Sequence, residues 1–151
     1  MITAAILVCQ GLYAQQLPSW DVNGMSSFGP LSHSDIVAAF GEPDSYISQQ
    51  AESLSEEFKY DNGLLIRLND SFISSVVITS SAYALYTGLP CGGLRPGDPV
   101  SKLTDLNIQV VESDLESSLG EVLRVVDSFD DYFYIYHENG VITALIINVP
   151  M

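Results

Sequence analysis

Positive charge is scarce in this chain. Five of its 151 residues are basic (Lys59, Arg67, Arg95, Lys102 and Arg124), against 19 acidic ones, and the formal net charge is −14. Phosphate binding needs a basic surface, so the composition argues against nucleic acid as a partner. The same sign disfavours an anionic membrane surface. Histidine occurs only as His33 and His137, and cysteine only as Cys9 and Cys91. Two histidines and the one cysteine that would remain after removal of an N-terminal leader do not make a zinc site of the usual spacing. The chain also lacks a Gly-x-Ser-x-Gly elbow, a phosphate-binding glycine loop and a His-Glu-x-x-His helix. No segment beyond the N-terminal run is apolar enough to span a bilayer. No cofactor, metal or catalytic residue is therefore expected.

Hydrophobic residues are plentiful, at 47%. That is enough for a packed core, and the length suits one domain. Residues 1–14 read as a signal peptide: Ile2 to Val8 is apolar, and Leu12-Tyr13-Ala14 sets a small residue before Gln15. The competing reading is a short buried element of the mature domain. Lipidation at Cys9 would want a small residue before it, and Val8 is not small. Export to the periplasm or the extracellular space follows from the first reading. Cys91, beside Gly92-Gly93, reads as a passive linker thiol, because nothing local links it to a base.

Residues 15–27 read as an irregular leader, and residues 28–151 as one domain. Within it a pattern occurs twice, in 28–80 and 94–149, joined by 81–93. In the first unit, Ser34 to Phe40 has helical spacing, with Ser32 or Ser34 as cap and Gly41 and Pro43 as stop. A polar stretch to Ser55 follows. Three strand-like runs come next: Glu57 to Tyr60, Leu64 to Asn69 and Phe72 to Ser80. Asp61-Asn62-Gly63 signals a hairpin. In the second unit, Asp98 and Pro99 suit a helix start, Val100, Leu103 and Leu106 share a face, and Asn107 suits its end. A polar stretch from Glu112 to Gly120 precedes Val122 to Asp127, Tyr132 to Glu138 and Val141 to Val149, with Asn139-Gly140 as a hairpin turn. Arg67 to Ile78 aligns on Tyr136 to Ile147 without a gap, which points to one supersecondary unit used twice. The expected class is α+β: two tandem helix-plus-three-strand units forming one antiparallel sheet with helices on one face.

Helix, Phe40-Gly41-Glu42-Pro43 and a strand meander together resemble the SmpA/OmlA outer-membrane lipoprotein family. Two such units in tandem resemble the β-lactamase inhibitor protein fold. The second copy has no Gly-x-Pro. The resemblance implies a role in binding or assembly.

The remaining chemistry is sparse. Glu56-Glu57 and Asp130-Asp131 read as solvated acids. Asp127 to Asp131 offers oxygens to calcium without the glycine and terminal glutamate of an EF-hand loop. His137 alternates with Phe133 and Ile135 and belongs to the core or its rim. His33 is expected to be exposed. Strand alternation supplies the best functional clue. Leu64, Ile66, Leu68, Phe133 and Ile135 form an apolar core set, which leaves Leu65, Arg67, Tyr134 and Tyr136 on the opposite face. Tyrosine and arginine are favoured at protein interfaces. The expectation is an exported, non-enzymatic module that binds another protein, inhibitor-like or an envelope adaptor. The chain's net charge suits a basic partner. The alternatives are an envelope scaffold without a specific client and a carboxylate-based hydrolase.

Overall fold

The computed structural model describes residues 21–26, 29–86, 93–115, 117–125 and 132–149. The proposed signal peptide, Cys9, Cys91 and Asp127 to Asp131 lie outside the described residues.

Eight strands form one antiparallel sheet: β3 (Ser45–Gln50), β4 (Leu54–Tyr60), β5 (Leu64–Asn69), β6 (Phe72–Ile78), β8 (Val110–Glu112), β9 (Glu121–Val125), β10 (Tyr132–Glu138) and β11 (Val141–Asn148). Their order is β3-β4-β5-β6-β11-β10-β9-β8. Each half of the chain thus makes a four-stranded meander, and the two meet at β6 and β11. A smaller sheet joins the hairpin of β1 (Asp21–Val22) and β2 (Met25–Ser26) to β7 (Leu85–Tyr86).

The described residues contain two short helices, α1 (His33–Phe40) and α2 (Lys102–Asp105). The class is mainly β, which corrects the α+β expectation. The second helix shrinks for a local reason. Pro96, Gly97 and Pro99 keep the chain in turns, and the bonds from Lys102, Leu103 and Thr104 N–H reach back only three residues, to Pro99, Val100 and Ser101. Asn107, at φ 56°, then ends the turn. Asp98 caps no helix; its carboxylate accepts from Arg95 N–H at 3.0 Å and from Lys102 Nζ at 2.8 Å. α1 starts better. Ser32 accepts from Asp35 N–H, and the Asp35 carboxylate accepts from Ser32 N–H at 2.7 Å, a full capping box.

Each half also has one strand more than the expected three. β3 falls inside the stretch that the sequence reads as polar connection, and β8 between the expected helix end at Asn107 and the polar stretch that begins at Glu112. Both are edge strands: every residue of β3 is exposed, and β8 sends only the half-buried Val110 toward the core, so neither is long or buried enough to show an apolar alternation.

One face of the large sheet carries the core. Leu64, Ile66, Leu68, Phe133 and Ile135 are buried there with Ile73, Val76, Ile78, Ile142, Leu145 and Ile147. Ile36 of α1, Leu103 of α2 and Val22, Met25 and Leu85 of the small sheet belong to the same cluster. The Asn23-Gly24 turn closes the β1–β2 hairpin with φ of 49° and 89°, so the segment expected to be irregular brings buried side chains to the core.

The two halves repeat each other in detail. The shift that carries Arg67–Ile78 onto Tyr136–Ile147 carries a register slip at Arg67/Leu68 onto one at Tyr136/His137. It carries the left-handed turn residues Asp70 and Ser71 onto Asn139 and Gly140. β6 and β11 alternate between buried and half-exposed positions in the same order. Outside the strands, Leu31 N–H donates to Ser71 O at 2.7 Å, and Val100 N–H donates to Gly140 O at 2.9 Å. At the junction, Leu145 pairs with Ile78 and Ile147 with Val76, pairs that the same shift exchanges. The sheet therefore has a local two-fold axis between Val77 and Ile146.

Candidate functional site

The face opposite the core is built by pleat alone. Residues that alternate with a buried set point away from it. Leu65, Tyr134 and Tyr136 lie half-buried on this open face, and Arg67 is exposed. Cross-strand pairing shows how they relate. Ser45, Lys59, Leu65, Val77, Ile146, Tyr134, Arg124 and Val111 are each paired to the next across all eight strands. They form one transverse row through the local two-fold axis. Leu65, Val77, Ile146 and Tyr134 make its centre, all half-buried. Lys59 and Arg124 hold matching places on either side, five strand spacings apart, or about 24 Å.

Arg67 and Tyr136 lie in neighbouring rows on opposite sides of that axis. The Arg67 guanidinium donates from Nε to Glu57 at 2.7 Å, so it is already tied to its cross-strand neighbour. Tyr136 stands between Val122 and Ala144. Burial raises its hydroxyl above the usual tyrosine range, and the nearby Tyr134 adds to the effect. Ser75 and Asn148 join the two central strands on this face through a 2.9 Å side-chain hydrogen bond. A shallow depression of ≈ 370 Å³ opens beside the row, with Glu57, Lys59, Leu65, Val77 and Thr79 in its wall.

All four expected face residues lie on this surface. Val77, Ile146, Lys59 and Arg124 were not singled out from sequence. Their positions depend on the β6–β11 register, a long-range pairing that no local pattern encodes. Three of the five basic residues, Lys59, Arg67 and Arg124, gather here. The open face is thus far less acidic than the chain's net charge implies.

Other candidates resolve differently. Glu56 and Glu57 alternate across the sheet, so they cannot act as a facing acid–base pair. Glu56 is buried, not solvated, and accepts the Tyr46 hydroxyl at 2.6 Å. That bond raises the Tyr46 hydroxyl's pKa, because it would lose its proton beside a carboxylate. His33 is half-buried instead of exposed, as the first residue of α1. Its ring meets Tyr46 edge-on at 4.5 Å and Phe58 at 5.2 Å. His137 sits at the core rim, its Nε2 3.6 Å from Glu121. Among the described residues no group of three His, Cys, Asp or Glu side chains is placed to hold a metal ion, and no helix is long and apolar enough to cross a membrane.

No protein-family model and no curated protein matches the chain. Two solved structures are similar to it. One is an extracellular protein containing an SCP domain from Bacillus anthracis str. Ames, with TM-score 0.42 and 9% identity over 89% of this chain and 48% of that chain. The other is a cysteine-rich secretory protein from Staphylococcus aureus subsp. aureus Mu50, with TM-score 0.42 and 13% identity over 76% of this chain and 42% of that chain. This chain spans less than half the length of either. Similarity at that level assigns it to no family. The expected resemblance to the SmpA/OmlA lipoproteins and the β-lactamase inhibitor protein is not upheld: no family model matches the chain, and in place of two helix-plus-three-strand units the described residues form two four-stranded meanders with only short helices. The Gly41-x-Pro43 element that suggested those families is a helix stop before an edge strand, a local device that unrelated folds share.

Proposed function

We propose that the chain is an exported protein-binding module that works by non-covalent contact through the open face of its large sheet. The observation that carries this reading is the transverse row. Leu65, Val77, Ile146 and Tyr134 offer a continuous half-exposed apolar strip at the sheet's centre, with Tyr136 and Arg67 beside it and a cation at either end. A solvated sheet face more commonly alternates charged and small polar groups. An apolar centre inside a polar rim is the anatomy of an interface. Export, to the periplasm or beyond the cell, rests on the Ile2 to Val8 run and the Leu12-Tyr13-Ala14 sequence.

The local charge refines the partner. The whole chain is strongly acidic, but Lys59 and Arg124 bracket the strip, so the group that docks between them is expected to be neutral or acidic where it meets them. The experiment is affinity capture from envelope and culture supernatant of the native host, using wild-type chain beside Tyr134→Ala and Tyr136→Ala. A stoichiometric partner held by the wild type and lost by both variants supports the reading. A partner retained equally by all three removes it.

A further inference from the structure

The two edges of the large sheet differ. β8 is three residues long and runs into Glu112, Ser113 and Asp114, and short charged edges resist pairing. β3 is the reverse. Its six residues, Ser45-Tyr46-Ile47-Ser48-Gln49-Gln50, are all exposed, carry no charge and no proline, and pair with β4 without a register slip. Among the described residues nothing pairs with its outer edge. Tyr46 and Ile47, 41% and 47% exposed, are its large apolar side chains.

We propose that β3 is the contact through which two copies of this chain associate, antiparallel about Ile47, to make one sheet of doubled width. Charge selects this occupant. Two chains of net charge −14 repel, and they can meet only where the field is neutralised. Two of the charges behind β3 are paired in place. Glu57, the cross-strand neighbour of Ile47, is bound by Arg67, and Lys59, the neighbour of Ser45, lies 3.6 Å from Asp61. Glu56 is buried beneath the Tyr46 hydroxyl. The strand is also self-complementary. Residues directly opposite in an antiparallel pair share a face. Pairing about Ile47 sets that residue against Ile47 of the second copy, Tyr46 against Ser48 and Ser45 against Gln49. Both open faces then lie on the same side, so a dimer presents two binding strips together. This inference does not depend on what that face binds.

Sedimentation equilibrium of the full chain tests it. The expected result is a reversible monomer–dimer equilibrium that tightens as salt rises, because screening relieves repulsion between the acidic bodies. Ile47→Lys and Gln49→Lys, each placing a charge on the edge, should weaken it by at least about tenfold while leaving the melting curve in place. In a Cys9→Ser, Cys91→Ser background, Ile47→Cys should give a covalent dimer on oxidation. Cα separations in such a pair suit a disulfide. The exposed Phe72→Cys control should not. A monomer at every concentration and salt, or a dimer indifferent to both lysine variants, overturns the proposal.

Discussion

Val77 stands directly opposite Ile146 in the central strand pair, and each holds the other's position in its own half of the chain. That pairing joins two meanders into one sheet and places Leu65 and Tyr134, another matched pair, immediately outside it. The strip proposed to bind a partner is thus assembled from both halves.

The matched core positions should respond alike. Ile66 and Ile135 are both fully buried and related by the repeat. Ile66→Ala and Ile135→Ala should each cost about 2–5 kcal/mol through the cavity they leave. Urea denaturation measures both. Tyr134→Ala on the open face should cost well under either.

Backbone geometry gives a sharper contrast. Gly120 has φ 116°, and a Cβ there would lie 2.3 Å from the His137 carbonyl oxygen. Gly140 has φ 76° with nothing within 4 Å of such a Cβ. Gly140→Ala carries conformational strain alone and should cost about 1 kcal/mol. Gly120→Ala must also part β9 from β10, so its cost should exceed that of Gly140→Ala by about 2 kcal/mol or more. Denaturation midpoints of the two variants decide it.

Alkaline pH should weaken the fold through Tyr60. Its hydroxyl donates to Gly41 O at 2.9 Å. Burial, then the charges of Tyr83, Glu42 and Asp44, hold its pKa above the ordinary 10.0. A raised folded-state pKa means that its stabilisation is complete below the unfolded value and is lost as pH rises through the folded one. Stability should therefore fall above about pH 10. Tyr60→Phe should start lower, by about 1 kcal/mol for the lost hydrogen bond, and decline less steeply. Urea unfolding across that range reads both slopes.

How much of this was legible in the sequence depends on what each residue faces. Leu64, Ile66, Phe133 and Ile135 could be assigned to the core because β5 and β10 have one dry and one wet side. The hairpin turns at Asp61-Asn62-Gly63 and Asn139-Gly140 could be placed because left-handed backbone restricts residue choice. β3 stayed hidden because Ser45 to Gln50 has no buried side to pattern. The second helix was overread. Val100, Leu103 and Leu106 are spaced for one, but Val100 N–H is taken by Gly140 O and Asn107 turns left-handed, so only the single turn Lys102–Asp105 forms between them. The open face was found by elimination from the core. Its most central residues, Val77 and Ile146, look like any apolar strand position until the register between halves is known.

The most direct test of the account is the affinity of a captured partner for chains altered at the centre of the strip. Val77→Lys and Tyr134→Ala change half-buried positions on the open face, so melting temperature and circular dichroism should stay near wild type. Loss of a central interface side chain removes about 2 kcal/mol or more, and calorimetric titration should show affinity reduced by more than about tenfold for each variant. Wild-type affinity in both variants, with the fold intact, would contradict a binding role for this face.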